Sequence, residues 1–566
     1  MFDILSAALR IMPEAMPLCG FAVVLPNLSE DEWVERGFHL ALPSHELLFQ
    51  EHVRSPQQLK RQLLDLTEVR LERPHLSNPI TPEQLSKMRL VFRDTAVTNE
   101  VREAREVEET SLGTILDDFS ATEKRLSDEQ QRLSEAKIAR SPRLVCGVAG
   151  SGKSVVLANQ VARYLKRELA KPRDLFAEPN PTPFRVAVVC FNRSLVPLLE
   201  RRVAEAYKQL TQRDLPQEVI CISHLNRLLY ELAEQGYWRY QSMASGSSVE
   251  RAKRYRRQWN DPKVLNRPLF DAVFVDEGQD LEGEELALLH DLVKDDPATL
   301  ERNLIVFYDD AQNLYARPRP NWRNLGIEMS GGRSTVMRRC FRNTREIVEL
   351  AYNVLLGSAA PEAVRVQTRT YADTGYLEQA KLITEVRGHV TVHFAERSFA
   401  QPVVKSFPNL ADEKHWVATE IARLVRDEQV RLEDILVLFR DAESFKDLPG
   451  RIRQQQVPGL KGFLRPYHSG NKGDRDRYIM SPGQLTLSTV YGAKGYDAHV
   501  VFLVGADLFP ATGDENKGRA AFYVAATRAK HLLYVTGVER AKHTLLDETV
   551  GVMKALSQEA TNLVKG

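Results

Sequence analysis

The sequence predicts an α/β protein with two parallel-sheet domains, preceded by a small α+β N-terminal domain. Two blocks of short apolar segments alternate with helical patterns, as crossover helices between parallel strands require. The first block holds "RLVCGV", "RVAVVCF", "DAVFV" and "NLIVFY". The second block, after residue 342, holds "HVTVHF", "DILVLF", "LTLSTV", "HVVFLV" and "LLYVTG". A third observation is a glycine-rich segment between "RLVCGV", the first strand of the first block, and the helix that follows it.

The length and the change of pattern along the chain divide it into three regions. The 566 residues allow roughly three or four domains. We predict an N-terminal domain with a charged helical linker over residues 1–125. A first α/β domain follows over 126–335, with a small insertion at about 206–265, and a second over 336–566, with a small insertion at about 440–484.

Composition excludes several classes of protein. The formal net charge is +1, so any surface that binds nucleic acid must be local. The N-terminus has no basic region of a signal peptide, and no segment reaches the about 18 apolar residues of a membrane span. The five cysteines form no C-x-x-C pair, which argues against a zinc or iron–sulfur site and for a reducing compartment. They are Cys19, Cys146, Cys190, Cys221 and Cys340. We expect a soluble cytoplasmic protein without a membrane partner.

The segment "VCGVAGSGKS" has the spacing of a phosphate-binding loop. Gly147 is followed after four residues by Gly152, Lys153 and Ser154, with Gly150 inside the loop. The loop lies between a predicted strand and a predicted helix, where backbone N–H groups and the helix N-terminus hold phosphates. Lys153 is predicted to reach the β- and γ-phosphates, and Ser154 to bind Mg²⁺. A chance glycine-rich turn is the less favoured alternative.

The segment "DAVFVDEGQD" supplies the acidic partners of this loop. Asp276 and Glu277 follow a buried strand directly. A carboxylate at the end of such a strand holds Mg²⁺, and a second one orients the attacking water. We therefore predict Asp276 as a metal ligand and Glu277 as the general base of nucleotide hydrolysis.

Further motifs resemble those of the UvrD/Rep-type superfamily-one helicases, in the family's order over most of residues 126–535. They are "LSDEQ", "VCFNRSL", "ISHLNRLL", "VDEGQD", "YDDAQNLY", "RRCFRNTREI", "LSTVYGAKGYD" and "YVAATRAK". The resemblance implies two RecA-like P-loop NTPase domains with ATP and Mg²⁺ between them.

The resemblance also implies roles for single residues at the nucleotide. Gln130 would read the adenine. Gln312, Arg342 and Arg528 would meet the γ-phosphate. Gly495 and Asp497 would lie at the ribose, although the family's Gly-Leu-Glu is replaced here by Gly495-Tyr496-Asp497. Two other departures are Tyr308, where the family has Gly, and Tyr491, where it has His.

Nucleic-acid contacts are implied on both domains. Phe191, Tyr315 and Trp322 offer faces for base stacking, which tolerates any sequence. Asn192 and Thr489 belong to motifs that contact the strand in the family. The two predicted insertions are basic with interleaved aromatic residues. This suits nucleic-acid contact, but a solvated surface explains their composition equally well.

The segment "YDDAQNLYARPRPNW…GGRSTVMRRCFRNT" looks most like bacterial helicases fused to a nuclease-related NERD domain. "FAVVLPNLSEDEW" resembles the latter part of such a domain, but residues 1–125 show no E-x-K nuclease triad. A truncated, non-nuclease domain and an unrelated domain that docks a partner both remain open. We expect that the chain alone does not cut DNA, and that any partner nuclease would bind residues 1–125.

Together these features predict an enzyme, an ATP hydrolase that acts as a translocase or helicase on single-stranded or tailed DNA, with RNA not excluded. The family resemblance implies 3′ to 5′ movement. One alternative is a translocase that displaces proteins and barely unwinds. Another is a regulatory ATPase subunit that senses nucleic acid and controls a nuclease in repair or phage defence.

Overall fold

The structure is a computed structural model, and it describes most of the chain from residue 111 onward and short parts before it. The described residues are 23–25, 29–35, 47–53, 111–123, 128–135, 141–148, 150–171, 184–239, 247–264, 267, 269–296, 301–309, 320–329, 333–362, 364–365, 378, 381–386, 388–395, 397–464, 482–509 and 515–565. The chain divides into two compact units, Met1–Arg93 and Asp94–Gly566.

The described part of the N-terminal unit contains two paired strands and a helix. Strand β1 (Val23–Leu25) pairs in parallel with β2 (Leu47–Phe49), and helix α1 (Glu30–Glu35) lies between them in sequence. The three residues of β2 are buried, and the Trp33 ring lies 5.9 Å from the Phe49 ring. This unit therefore has an apolar centre of its own.

The larger unit begins with helices α2 (Leu112–Glu123) and α3 (Asp128–Glu135), followed by a sheet of six parallel strands. The strands are β3 (Arg143–Gly147), β4 (Val186–Cys190), β5 (Ile220–His224), β6 (Ala272–Val275), β7 (Leu304–Tyr308) and β8 (Ser334–Met337). Their order across the sheet is β5-β4-β6-β7-β3-β8. Strands with two buried faces read as continuous apolar segments, which is why this sheet was visible in the sequence.

Helices cover both faces of this first sheet. One face packs against α4 (Lys153–Leu169) and α5 (Val196–Thr211). The other packs against α6 (Leu225–Glu234), α7 (Ser248–Trp259) and α8 (Gly283–Asp291). Short 3₁₀ helices lie at Gln50–Val53, Arg193–Leu195, Gln217–Val219, Gly278–Asp280, Arg323–Leu325, Leu432–Asp434 and Ala506–Leu508.

A second sheet of six parallel strands follows, preceded in sequence by helix α9 (Arg345–Leu355) and an antiparallel pair, β9 (Ile383–Val386) and β10 (His389–Val392). Its strands are β11 (Val403–Phe407), β12 (Ile435–Phe439), β13 (Gly462–Leu464), β14 (Gln484–Thr489), β15 (Ala498–Val504) and β16 (Ala529–Val538). Their order is β11-β16-β15-β12-β14-β13.

The second sheet is also covered on both faces. Helices α9, α12 (Glu515–Ala526) and α13 (Leu545–Lys565) pack on one face. Helices α10 (Leu410–Arg426) and α11 (Leu448–Gln454) pack on the other. The predicted α/β class with two parallel-sheet domains is confirmed. None of the described helices has a stretch long and apolar enough to cross a membrane.

Three details differ from the prediction. The segment 206–265, predicted as an insertion, supplies edge strand β5 of the first sheet, and 440–484 supplies edge strand β13 of the second. "HVTVHF" forms β10 of the separate antiparallel pair rather than a strand of the parallel sheet. Edge strands are short and only half buried, so their apolar patterns are weak. Helix α2, assigned above to the N-terminal region, packs on the second sheet's core through Leu116.

Candidate functional site

The glycine-rich loop connects the end of β3 to the start of α4, at the carboxyl edge of the first sheet. Gly150 and Gly152 have positive φ angles, 73° and 83°. A Cβ atom at Gly152 would lie 2.2 Å from Gln130 Nε2, and one at Gly150 would lie 2.3 Å from Asn343 Oδ1. Glycine is therefore required both by the backbone and by its neighbours. At Gly147, the first of the loop, a Cβ would lie 2.6 Å from Ser151 Oγ.

Lys153 lies in the mouth of this loop with its ammonium group surrounded by oxygen atoms. Its Nζ donates to the carbonyl oxygens of Gly147 and Val148 at 3.0 and 3.2 Å, and to Asp309 Oδ2 at 2.8 Å. The side chain is only 8% exposed. Gln130 closes the loop from the other side, because its Nε2 donates to the Ser151 carbonyl at 2.9 Å.

Asp276 and Glu277 face this loop from the end of β6. Ser154 Oγ donates to Asp276 Oδ2 at 2.7 Å, so the two predicted metal ligands are adjacent. The other Asp276 oxygen, Oδ1, is buried and has no hydrogen-bond partner among the residues that the structure describes. An orphaned carboxylate oxygen beside a hydroxyl is a donor set that fits Mg²⁺, which takes few protein ligands and otherwise binds phosphate and water oxygens.

The two adjacent carboxyl groups have opposite pKa shifts. Burial, followed by the charge of Glu277, raises the pKa of Asp276 to about 6. Burial also acts to raise the pKa of Glu277, but the positive charges of Lys494, Lys153 and Arg528 outweigh it and hold that pKa below its usual value. Glu277 has a positive φ of 52° and accepts a short hydrogen bond from Gln279 Nε2. Glu277 is therefore ionised and fixed in orientation.

The second domain brings two arginines to the same place. The backbone N–H groups of Phe341 and Arg342 donate to the Gly150 carbonyl at 3.1 and 3.2 Å, so Arg342 lies against the glycine-rich loop. The Arg342 guanidinium pairs with Asp497 at 3.0 Å and donates to the Thr527 carbonyl at 3.3 Å. Asp497 also pairs with Lys530 at 3.3 Å.

Arg528 is almost completely buried beside this pair. Burial, followed by the charge of Arg342, lowers its pKa to about 10, while Glu277, Asp497 and Asp309 act in the opposite direction. Burial acts to raise the pKa of Asp497, but Lys530 and Arg342 hold it well below its usual range. The cleft between the domains thus concentrates ionised groups of both signs.

Two loops hold the domains together at this cleft. Lys494 Nζ donates to both oxygens of Asp280 at 2.6 and 2.7 Å, and both side chains are fully buried. Asn192 Nδ2 donates to the Tyr491 carbonyl at 3.1 Å. Tyr496 donates its hydroxyl to the Ser194 carbonyl at 2.5 Å. Sequence reasoning missed Lys494 and Asp280 as a pair, because a motif match gives no pairing between domains.

The structure brings most of the predicted nucleotide residues into one cleft: Gln130, Gly147, Gly150, Gly152, Lys153, Ser154, Asp276, Glu277, Arg342, Asp497 and Arg528. Gly495 lies in the loop next to Asp497, where its backbone packs against Leu195. Gln312, predicted at the γ-phosphate, lies outside the described residues. The roles of all these residues in catalysis stay predictions.

The residues predicted to contact nucleic acid differ in how accessible they are. Phe191 and Trp322 are half buried and pack against the core of the first domain, so only part of each ring is available for stacking. Thr489 Oγ1 accepts from the Gly492 backbone and so shapes the loop after β14. Tyr315 lies outside the described residues. Tyr308, the departure from the family pattern, is a buried core residue.

An open groove of 890 Å³ runs along the edge strand β5, beside the loop that carries Asn192. Its lining includes Arg193, Arg227 and Tyr230, together with the carboxylates of Glu200 and Glu231, and Arg227 pairs with Glu231 at 2.8 Å. Tyr230 is 46% exposed. The groove therefore combines guanidinium groups with an accessible aromatic face, next to the segment "ISHLNRLL" singled out in the sequence.

One family of known proteins matches a segment of the second domain. Residues 484–536, from β14 into β16, match the family of UvrD-like helicase C-terminal domains. This part of the second domain is therefore similar to helicase C-terminal domains. No curated protein sequence matches the chain.

Two solved structures are similar to this chain at low identity. The C-terminal domain of a possible DNA helicase from Lactobacillus plantarum WCFS1 aligns at 15% identity, with a TM-score of 0.24, over 38% of this chain and 95% of that one. Dbp5 of S. cerevisiae, bound to RNA and ADP BeF3, aligns at 12% identity, with a TM-score of 0.38, over 79% of this chain and 91% of that one. Both scores are low, so the fold assignment rests on the two sheets.

Proposed function

We propose that the protein is an ATP-dependent translocase or helicase that moves along single-stranded DNA. One observation carries the proposal: Lys153, Asp276 and Glu277 of the first domain meet Arg342 and Arg528 of the second in a single cleft. A lysine for phosphate, a metal ligand, an ionised base and two arginines are the parts that phosphoryl transfer to water requires. The similarity of residues 484–536 to helicase C-terminal domains supports this assignment of the cleft.

The chemistry follows from where these groups lie. Glu277, ionised and held by Gln279, would orient a water and take its proton, and the Gln279 hydrogen bond that fixes its carboxylate supports this role. Ser154 and Asp276 would hold Mg²⁺, which neutralises charge on the phosphate oxygens when it is bound. Lys153 now pairs with Asp309, so an incoming phosphate competes with that carboxylate for the ammonium group.

Hydrolysis would be coupled to movement through the second domain. Arg342 and Arg528 would interact with the γ-phosphate from across the cleft, so that closure depends on whether the nucleotide carries it. The groove along β5 and the loop that carries Asn192 would contact the strand. The groove's arginines would pair with phosphates, which for Arg227 means exchanging Glu231 for a phosphate. Tyr230 would stack on a base without reading sequence. A 3′ to 5′ direction is part of the proposal.

A strand-displacement assay on the purified full chain tests this function. We expect ATP- and Mg²⁺-dependent release of a strand from a tailed duplex, and an ATPase rate that rises several-fold with single-stranded DNA. Lys153→Ala should abolish both activities, because the phosphates lose their positive charge. Substrates with a tail at the 3′ or the 5′ end determine the direction.

The other outcomes separate the alternatives. ATPase stimulation without strand release indicates a translocase that displaces proteins. Hydrolysis that responds to nucleic acid without movement on it indicates a regulatory subunit, with residues 1–125 as the docking region for a partner nuclease. Near-normal ATP turnover by Lys153→Ala contradicts the assignment of the nucleotide loop.

A further inference from the structure

Helix α2 lies on the second domain although it precedes the first domain in sequence. Leu116 is fully buried among the apolar residues beneath α10 and α11. Phe119 stacks on the His531 ring, with centroids 4.3 Å apart and planes 8° from parallel. It also meets the Phe399 ring edge-on at 5.6 Å. The apolar face of α2 is therefore part of the second domain's core.

Polar contacts fix the same helix at its start and in its middle. The Glu428 carbonyl accepts from Gly113 N at 2.8 Å, and its carboxylate lies 3.4 Å from Leu112 N. A carboxylate at this end of a helix is stabilising, because unpaired N–H groups and the helix dipole are positive there. Arg431 pairs with Asp117 through two nitrogens, Nε at 3.0 Å and Nη2 at 3.2 Å.

Helix α3, the next element, lies on the first domain beside the glycine-rich loop. Gln130 donates to the Ser151 carbonyl within that loop. Gln160 of α4 donates to the Leu133 carbonyl at 2.8 Å, which holds α3 on the helix that follows the loop.

The same helix also contacts the link between the domains. The Glu129 carboxylate accepts from the backbone N–H groups of Arg338 and Arg339 at 2.8 and 3.1 Å. These two residues lie between β8, the last strand of the first sheet, and Arg342 in the cleft. A single short helix thus touches the nucleotide loop and the segment that carries Arg342.

Chain length limits how far α2 and α3 can separate. Helix α2 ends at Glu123 and α3 begins at Asp128. Five Cα-to-Cα steps span at most about 18 Å, even when fully extended. While α2 stays docked on the second domain, its end at Glu123 cannot lie more than about 18 Å from the start of α3 at Asp128. This limits how far the second domain can move from the helix that supports the nucleotide loop. The two domains therefore have a covalent connection in addition to the link at residues 338–341.

We infer that α2 and α3 form a strap between the domains. Helix α2, which lies on the second domain away from the cleft, sets the position of α3 and the nucleotide loop relative to that domain, and so sets the affinity for ATP. Asp117, Phe119 and Arg431 are then positioning residues. This inference rests on the proposed ATPase function, because the affinity it concerns is for that nucleotide. It assigns to residues 111–123 a place in the nucleotide cycle rather than in an N-terminal domain.

Charge reversal in the full-length protein tests the strap. Asp117→Arg and Arg431→Asp should each undock α2 and raise the KM for ATP about three- to tenfold, the range of coupling expected for contacting residues. The kcat should change far less, since neither residue touches the nucleotide. The double variant should restore the wild-type KM, because the opposite charges meet again.

A matched control and a second variant accompany the pair. Lys294→Asp reverses the charge of one partner in a comparably buried pair, Lys294–Asp271 at 3.0 Å on the first domain. It should leave the KM unchanged. Phe119→Ala removes the ring that packs on His531 and should act like the single reversals. Failure of the double variant to recover would show that the single variants act by misfolding, and would overturn the strap.

Hydrogen exchange followed by mass spectrometry gives a readout that does not depend on catalysis. In the single variants and in Phe119→Ala, amides of α2 should lose protection, and so should those of α3 and of the loop at residues 147–154. Loss confined to α2, with an unchanged KM, overturns the inference, because α2 would then only cover the second domain. A wild-type chain without ATPase activity contradicts the proposed function, and the exchange pattern still decides whether the strap exists.

Discussion

Two neighbouring carboxyl groups at the end of β6 have different chemical characters. Asp276 is 1% exposed, and its pKa is raised to about 6 by burial and by the charge beside it. Glu277 is 7% exposed, and its pKa is held down by positive charges from both domains. The ionised state of Glu277 suits a general base, which must accept a proton. Burial has removed water from the Asp276 carboxylate, so a bound cation would stabilise its charged form strongly.

The first prediction at the residue scale concerns Glu277. Glu277→Gln should still bind ATP, but kcat should fall about 10²–10⁴-fold, because the water loses its proton acceptor. Gln has the same length and meets the same positive φ of 52°, so the backbone is not changed further. Binding is measured with a fluorescent ATP analogue, and turnover by phosphate release.

The matching control is Glu285→Gln, a buried acid that lies on α8 outside the cleft. It should leave kcat within about twofold of wild type, as expected for a residue without a part in the chemical step. If Glu277→Gln keeps normal turnover, or if it no longer binds nucleotide, Glu277 is not the base.

At the scale of elements, the cleft depends on one loop packing closely on another. The loop after β14 approaches the 3₁₀ turn Arg193–Leu195 so closely that a Cβ atom at Gly495 would lie 1.9 Å from Leu195 Cδ2. Gly495 also has a positive φ of 88°. Two separate reasons, contact and conformation, therefore require glycine here. The sequence motif predicted a ribose contact and gave no sign of this packing.

The second prediction separates these two reasons. Gly495→Ala should lower the stability of the closed cleft and reduce ATPase activity, because the new methyl group displaces Leu195 and the backbone is strained. Gly236→Ala is the matched control, since Gly236 has nearly the same φ, 87°, and no atom of the described part of the chain lies within 4 Å of a new Cβ.

The control should cost only the strain of the conformation, about 1–2 kcal/mol, which thermal unfolding measures. Gly495→Ala should cost more than this and should also lower kcat. Equal losses of stability in the two variants, with an unchanged kcat, would show that the contact with Leu195 does not matter for the cleft.

At the scale of the whole molecule, a buried ion pair joins the two α/β domains. Lys494 and Asp280 are both fully buried, one on the loop after β14 and the other after β6. Removing two charges from water is costly, and their attraction offsets the cost only when the geometry is good. The two contacts, at 2.6 and 2.7 Å, form only when the domains meet in one relative position and orientation.

The third prediction is that removing one charge of this pair destabilises the protein more than removing both charges. Lys494→Met should destabilise the protein by about 3–5 kcal/mol, because Asp280 is left buried without its cation. The double variant Lys494→Met with Asp280→Leu should recover most of that loss, and calorimetric unfolding of the three proteins measures it. A double variant as unstable as the single one would show that Asp280 has a structural role apart from this pair.

The sequence by itself determined the α/β class and the chemistry of the first domain's nucleotide residues. Their signals are local: continuous apolar strands, glycines at fixed spacing, and acids directly after a buried strand. The sequence predicts Lys153 and Ser154 after one strand, β3, and Asp276 and Glu277 after another, β6, and the carboxyl ends of parallel strands meet at one edge of a sheet.

Only the tertiary structure decided which distant residues meet. The pairing of Lys494 with Asp280 spans 214 residues, and that of Asp117 with Arg431 spans 314. Nothing in the charged segment at residues 99–140 indicates that α2 docks on the second domain, because an amphipathic helix shows which face is buried but not against what. β5 and β13 were read as insertions for a related reason, since an edge strand is identified by its neighbour rather than by its own pattern. Local sequence patterns therefore identify single helices and strands, whereas the contacts between distant elements are determined only when the whole chain packs.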